Sequence, residues 1–329
     1  MSAPESGSLG VVVKNLRKHY VSGGGWFGRD KQVVRAIADV SLTVPKGVSV
    51  GLVGESGCGK STVARAVLRL VEPDDGTIFH DGVDVRALTG KALREHRRNA
   101  QLVFQDPFAS LNPKRTIWQT LEEPLRVHRM GSADEIRRRV ERAILEVGLP
   151  VECLSRYAHE FSGGQRQRIG IARALILEPD FIVADEPVSA LDVSVQAQIL
   201  QLLLRIKEAR GLSFLFVSHD LGVVRYFCAL TNVMYLGRIV EYGPTREVMD
   251  DPRHPYTRLL RDSSPIPDPA QRISLVSSAQ ELPSAANPPP GCAFHPRCPR
   301  AEARCRREVP LLRSVDGGAG RTVACHFPL

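Results

Sequence analysis

Nine consecutive residues, Gly54-Glu55-Ser56-Gly57-Cys58-Gly59-Lys60-Ser61-Thr62, have the types and order needed to hold nucleotide phosphates. The glycines let backbone N–H groups crowd around phosphate oxygens where a Cβ would collide. Lys60 is placed to reach the β- and γ-phosphates, and the Ser61 hydroxyl to ligate Mg²⁺. Cys58 reads as a small residue without a catalytic task. Further on, the apolar run Phe181-Ile182-Val183-Ala184 ends in two carboxylates. Asp185 suits Mg²⁺, held through water because that ion sheds water reluctantly. Glu186 is placed to take a proton from the water that attacks the γ-phosphate. Between the two motifs lies Ser162-Gly163-Gly164-Gln165, where Ser162 can cap a helix whose first N–H groups face an anion. This is a second phosphate-binding surface in a chain with one phosphate loop, so it is expected to serve a nucleotide held by another subunit.

These groups need strands and helices to carry them. Gly47 to Val53 reads as a buried strand entering the loop and Ser61 to Leu70 as the helix leaving it. Phe181 to Ala184 and Phe214 to Ser218 read as strands, and a helix follows Ser162. From Leu121 to Leu149 the pattern is helical, with Ile136, Val140, Ile144 and Val147 on one face. Leu93 to Val103 ends strand-like. Leu9 to Ser49 is β-rich, interrupted by Gly23-Gly24-Gly25. Alternating strands and helices after a phosphate loop predict an α/β fold with a largely parallel sheet and the nucleotide at its carboxyl edge. After Met249, Pro252, Pro255, Pro265, Pro267, Pro269 and Pro288-Pro289-Pro290 exclude long regular elements, which predicts a separate C-terminal extension.

The chain has 329 residues, with 44 Lys and Arg against 36 Asp and Glu, a formal charge of +8. That charge suits nucleic acid, anionic lipid or nucleotide phosphates alike. Arg137, Arg138, Arg139 and Arg142 alternate with Glu135, Glu141 and Glu146, as on a solvated helix face. No apolar stretch approaches the ~18–20 residues of a membrane helix, and the first thirty residues lack the apolar core of a secretory signal. The expected location is the cytosol, unless a partner holds the chain at a membrane. Four of the seven cysteines, Cys292, Cys298, Cys305 and Cys325, crowd the end of the chain as Cys-x5-Cys-x6-Cys-x19-Cys. Four thiolates suit Zn²⁺ or an iron–sulfur cluster, although the tight Cys-x₂₋₄-Cys pair usual for structural zinc is absent; disulfides or free thiols without a metal are the alternative. His295 and His326 flank them and read as loop residues, unless one replaces a ligand.

With the phosphate loop, Ser162-Gly163-Gly164-Gln165 and Asp185-Glu186 in this order, the sequence resembles the ATP-binding cassette ATPases. Ser189-Ala190-Leu191-Asp192 resembles that family's loop across the dimer interface. The resemblance implies a RecA-like P-loop core with an antiparallel β subdomain and an α-helical signature subdomain. It also implies a γ-phosphate-sensing role for His219, and a link from Gln105 to Mg²⁺ and the attacking water. Tyr20 would stack on adenine, a contact worth roughly 1–3 kcal/mol; Trp26 and Phe27 are alternatives for it.

Five segments narrow the resemblance to the F-type ATPase subunits of oligopeptide and dipeptide importers: Gln105-Asp106-Pro107-Phe108-Ala109-Ser110-Leu111-Asn112-Pro113, Asp185-Glu186-Pro187-Val188-Ser189-Ala190-Leu191-Asp192-Val193-Ser194, Pro252-Arg253-His254-Pro255-Tyr256-Thr257, Glu281-Leu282-Pro283-Ser284 and Pro288-Pro289-Pro290-Gly291-Cys292. The implied organisation is an ATPase domain over 9–250, with a helical subdomain at about 105–165, and an importer-type extension over 251–329. The implied function is ATP hydrolysis that energises import of di- and oligopeptides, with ATP, Mg²⁺ and a [4Fe–4S] cluster on the four cysteines as cofactors. The implied partners are a second, different ATPase subunit, two transmembrane permeases whose coupling helix enters a groove within 105–165, and an extracytoplasmic peptide-binding protein. The chain would then sit peripherally on the cytoplasmic face of the inner membrane. A related cargo such as a nickel chelate or glutathione is an alternative. A soluble cassette ATPase acting on nucleic acid is the rival class, disfavoured because neither a coiled-coil insertion nor a second cassette is present.

Overall fold

A computed structural model describes residues 10–22, 32–106, 110–263, 283–315 and 320–329. Gly23–Gly25, Trp26, Phe27, Pro107–Ala109, Pro265, Pro267, Pro269, Glu281 and Leu282 lie outside that set.

The centre of the molecule is a block of five parallel strands. In spatial order they are β9 (Leu230–Tyr235), β3 (Ser49–Val53), β8 (Ser213–Ser218), β7 (Phe181–Asp185) and β6 (Ala100–Val103). Every residue of β3, β7 and β8 is buried. That is why these segments are continuous apolar runs: both faces of a parallel sheet are covered by helices. The register aligns their carboxyl ends, with Val53 opposite Ser218, Asp185 opposite Val217 and Val103 opposite Ala184. The residues that follow, Gly54, Phe104, Glu186 and His219, therefore emerge along one edge.

Helix α1 (Lys60–Val67) leaves β3, and α2 (Gly90–Asn99) runs into β6. On one flank, β1 (Val11–Ser22), β2 (Gln32–Val44), β4 (Asp75–His80) and β5 (Val83–Asp84) form an antiparallel layer. It shares a core with α1 through Leu16, Ile37, Val40, Val63 and Ala64. On the other flank, α3 (Ile117–Val127) and α4 (Ala133–Glu146) form a helical layer packed on α5 (Gly163–Leu175). Each of these three starts at a reciprocal capping box: Thr116–Gln119, Ser132–Glu135 and Ser162–Gln165. Ile136, Val140, Ile144 and Val147 are all buried, as their spacing predicts. Helices α6 (Val193–Arg210) and α7 (Leu221–Phe227) connect β7 to β8 and β8 to β9, and β10 (Arg238–Pro244) returns antiparallel to β9.

The tail holds short elements, as its prolines predict: α8 (Thr245–Asp250), α9 (Pro255–Asp262), β11 (Arg313–Ser314) and β12 (Thr322–Val323). It does not stand off from the core. β12 pairs with β10 and extends the main sheet. Beside it, the fully buried Glu241 carboxylate accepts the N–H groups of Arg253 at 2.9 Å and His254 at 2.8 Å, and the Arg321 guanidinium at 2.9 Å. Removing one member of such a pair leaves an uncompensated buried charge. Glu241→Ala is therefore expected to cost about 3–5 kcal/mol, read as a lower denaturation midpoint and faster proteolysis of the tail; an unchanged midpoint would show that the tail is anchored elsewhere.

Candidate functional site

The phosphate loop spans β3 and α1. At Gly59, φ is +105° and a Cβ would sit 2.0 Å from the Ala36 carbonyl oxygen; at Gly54 it would sit 2.2 Å from that of Met234. Only glycine fits at either position. α1 has no side-chain cap, so its first N–H groups are open to an anion. The Lys60 ammonium, 4% exposed, donates to the carbonyls of Gly54 at 2.7 Å and Glu55 at 2.9 Å. Cys58 is buried, and burial raises its thiol pKa, which agrees with a packing role.

The aligned strand ends bring five predicted residues together. The Ser61 hydroxyl donates to Asp185 Oδ1 at 3.0 Å. Burial holds the Asp185 carboxyl above the usual range, against the lowering effect of Ser61. A buried carboxylate beside a hydroxyl is a hard oxygen donor set of the kind Mg²⁺ takes, so the residues fit that ion. On the next residue, Glu186 Oε2 accepts from Gln105 Nε2 at 3.1 Å and lies 3.2 Å from His219 Nδ1. Glu186 has φ +46°, unusual outside glycine, and its N–H is pinned to the Val217 carbonyl at 3.0 Å. A backbone held this way costs about 1–3 kcal/mol and is typical of functional positions.

The Ser162 side chain accepts from Gln165 N–H in its capping box, leaving the start of α5 at the surface. Its neighbours are the loop after β7 and α6: a Cβ on Gly163 would touch Leu191 at 3.4 Å, and one on Gly164 would meet Val195 at 2.4 Å. Ser189, Ala190 and Asp192 are exposed beside them, as is Val193 at 81%. No hydrogen bond joins Ser162–Gln165 to Gly54–Thr62 among the described residues. Tyr20 lies on β1 opposite Val34, two residues along β2 from Ala36, which touches the loop. Its ring is 42% exposed, with the Lys18 ammonium 5.6 Å from the centroid.

Cys292, Cys298, Cys305 and Cys325 line one cavity together with His295 and His326. Burial raises the thiols, Cys292 to about 11 and Cys298 and Cys325 in the same direction. Among the described residues, no three of these side chains bring ligand atoms within 4.8 Å of one another. His295 Nδ1 and His326 Nε2 are engaged instead with the carbonyls of Cys292 at 3.0 Å and Glu308 at 2.9 Å.

Two residues next to the phosphate loop escaped the sequence reading. The Tyr256 hydroxyl accepts the Glu55 N–H, and Arg297 binds the Glu55 carboxylate through both oxygens. They lie 201 and 242 positions from Glu55, and nothing local in the sequence signals so distant a contact.

The fold and the site together define a nucleotide-hydrolysing cassette. Residues 37–189 match the ABC transporter family, and residues 240–305 the C-terminal region of oligopeptide/dipeptide transporters. The chain is 50% identical over 316 residues to a probable peptide ABC transporter ATP-binding protein of Sinorhizobium fredii, covering 96% of this chain and 89% of that one. It is 46% identical to the oligopeptide transport ATP-binding protein AppF of Bacillus subtilis, covering 96% of this chain and 97% of that one. Among solved structures, the dimeric, post-hydrolysis state of the cassette MJ0796 bound to ADP and Pi aligns with a TM-score of 0.63 at 30% identity, covering 72% of this chain and 99% of that one. The chain belongs to the ABC transporter family, in the group of ATPases that carry the oligopeptide/dipeptide transporter C-terminal region. It is an ABC-type ATPase with the mixed, curled sheet and P-loop core of that fold.

Proposed function

We propose that this ATPase energises the import of di- and oligopeptides through a membrane complex. The observation that carries the reading is the meeting of Ser61, Asp185, Glu186, Gln105 and His219 at one sheet edge, in a chain about half identical to peptide-import ATPases along nearly its whole length. In this reading Gly54–Thr62 binds the triphosphate, with Lys60 on the β- and γ-phosphates and Tyr20 against the base. Ser61, Asp185 and Gln105 would hold Mg²⁺, which when bound neutralises charge on the phosphates. Glu186 takes the proton of the attacking water. Gln105 and His219 orient the Glu186 carboxylate, and His219, whose side chain is 56% exposed, is free to meet the γ-phosphate. Ser162–Gln165 and Ser189–Asp192 complete the site of a second ATPase subunit, which is in our reading a different chain. The dimeric state of the MJ0796 cassette supports pairing of this kind.

Two transmembrane permeases and an extracytoplasmic peptide-binding protein complete the proposed assembly, on the cytoplasmic face of the membrane. No helix among the described residues is long and apolar enough to cross a membrane. A groove of about 700 Å³, lined by Leu70, Phe104, Glu123 and Val127 and reaching Gln105 and Asp185, suits an amphipathic permease helix. A helix seated there would touch the Mg²⁺ and water ligands, so its movement and hydrolysis would be linked. The test is ATP turnover by the complex in lipid vesicles. Peptide presented with its binding protein is expected to stimulate turnover; stimulation by a nickel chelate or glutathione instead would move the assignment to that cargo.

We extend the proposal to a [4Fe–4S] cluster on Cys292, Cys298, Cys305 and Cys325. Four sulfur donors on one cavity suit iron. Thiolate sulfur is the donor that such clusters take. The cluster would staple a Pro-rich tail that builds no core of its own. Iron and acid-labile sulfide are expected in the anaerobically purified chain at about four of each per chain, and lost in Cys298→Ser; metal-free parent protein would refute the cluster.

A further inference from the structure

Glu55 is an anion inside a loop built to take polyphosphate, and the tail holds it from two sides. Arg297 Nη1 meets Glu55 Oε2 at 2.7 Å and Nη2 meets Oε1 at 2.8 Å, a parallel fork that cancels the carboxylate charge. The Arg297 side chain is 7% exposed and that of Glu55 27%, so the pair is partly shielded from water. The Glu55 N–H donates to the Tyr256 hydroxyl at 2.8 Å, while the Glu55 carbonyl accepts Lys60 at 2.9 Å. One residue thus joins the tail to the lysine that reaches for phosphate.

Arg297 and Tyr256 are themselves packed among buried rings. The Tyr256 ring is fully buried, 4.5 Å from Tyr235 and 5.4 Å from Phe294 between centroids, and the Arg297 guanidinium lies 5.9 Å from the Phe294 ring. The Tyr256 N–H donates to His254 Nδ1 at 3.0 Å. Burial pushes His254 down to about 3, which keeps it neutral and able to accept that bond near pH 7. His254 is tied in turn to Glu241. The path from the docked tail to the phosphate loop is continuous.

We propose that Arg297 is a positioning residue of the ATP site: with Tyr256 it fixes the Glu55 peptide and masks the Glu55 charge, so that the loop accepts a triphosphate. This rests on the assignment of ATP to Gly54–Thr62. Arg297→Gln leaves the carboxylate bare beside the phosphates, whereas Glu55→Gln removes the charge that needed masking. The two substitutions should therefore compensate in ATP affinity, with KM moving more than kcat, a split that a merely structural role would not produce.

The test is equilibrium binding of ATP·Mg²⁺ to the full chain, with KM and kcat of the assembled ATPase alongside. Arg297→Gln is expected to weaken binding about tenfold, seen in KM more than in kcat. Arg297→Lys should be intermediate, since it restores charge but not the fork. The double variant Arg297→Gln with Glu55→Gln should return to within about twofold of Glu55→Gln alone. Unchanged affinity in Arg297→Gln, or a double variant as weak as Arg297→Gln, would overturn the proposal. Should Arg297→Gln fail to fold, Tyr256→Phe keeps the buried ring and removes only the acceptor; affinity at the parental level would then overturn it. Lys60→Ala separates the two readings: if it retains ATP affinity, the loop assignment fails, and not merely the tail's part in it.

Discussion

Glu186→Gln is expected to stop ATP turnover while leaving ATP bound, and to accumulate the nucleotide-closed dimer. The substitution keeps size and hydrogen-bonding capacity, so the contact with Gln105 survives and the backbone of Glu186, pinned to Val217, has no reason to shift. What is lost is the proposed base, 3.2 Å from His219 and within reach of solvent at 13% exposure. Loss of a positioned base lowers rate on the order of 10²–10⁴-fold. Single-turnover hydrolysis and size-exclusion chromatography with ATP present would read both effects. Turnover near the parental rate would remove Glu186 from the base role and shift attention to water oriented by Gln105 and His219 alone.

The second large effect is expected from Ser162→Arg, and in a different chain's site. Ser162 caps α5 with its hydroxyl, and the open N–H groups of that turn are the anion-binding feature we propose. An arginine there fills the space a phosphate would take and removes the cap. Because these residues share no hydrogen bond with this chain's own phosphate loop, ATP affinity at Gly54–Thr62 should stay near parental. Hydrolysis at the partner's site should fall on the order of 10²-fold, as when a transition-state hydrogen-bond donor is removed. Mixed dimers with one altered subunit read this directly. Lost affinity in the altered subunit, with hydrolysis intact in its partner, would contradict the shared-site arrangement.

The residues legible in the sequence are those whose neighbours in the chain share their task. Gly54–Thr62 is contiguous, and β3, β7 and β8 announce themselves as apolar runs because both their faces are covered. The convergence of Gln105, Glu186 and His219 follows from parallel strands in register; Gln105 and His219 were legible only through the family resemblance. The fold of the tail was legible only as an absence of long elements. Its return to the sheet through β12 depends on two residues, Thr322 and Val323, too few for any pattern. Buried Glu241 reads in sequence as an ordinary polar residue on a strand, and only the fold shows three donors gathered on it. Arg297 was hidden by its surroundings: in a tail full of arginines, nothing local marks the one that crosses to Glu55.

The central claim is that this ATPase works as part of a membrane importer. It is tested most directly by tagging the chain, extracting membranes in mild detergent and identifying what co-purifies. Two multi-span permeases and a second cassette ATPase are the result this account predicts. A chain recovered from the soluble fraction with nucleic acid or ribosomes, and without permeases, would contradict it.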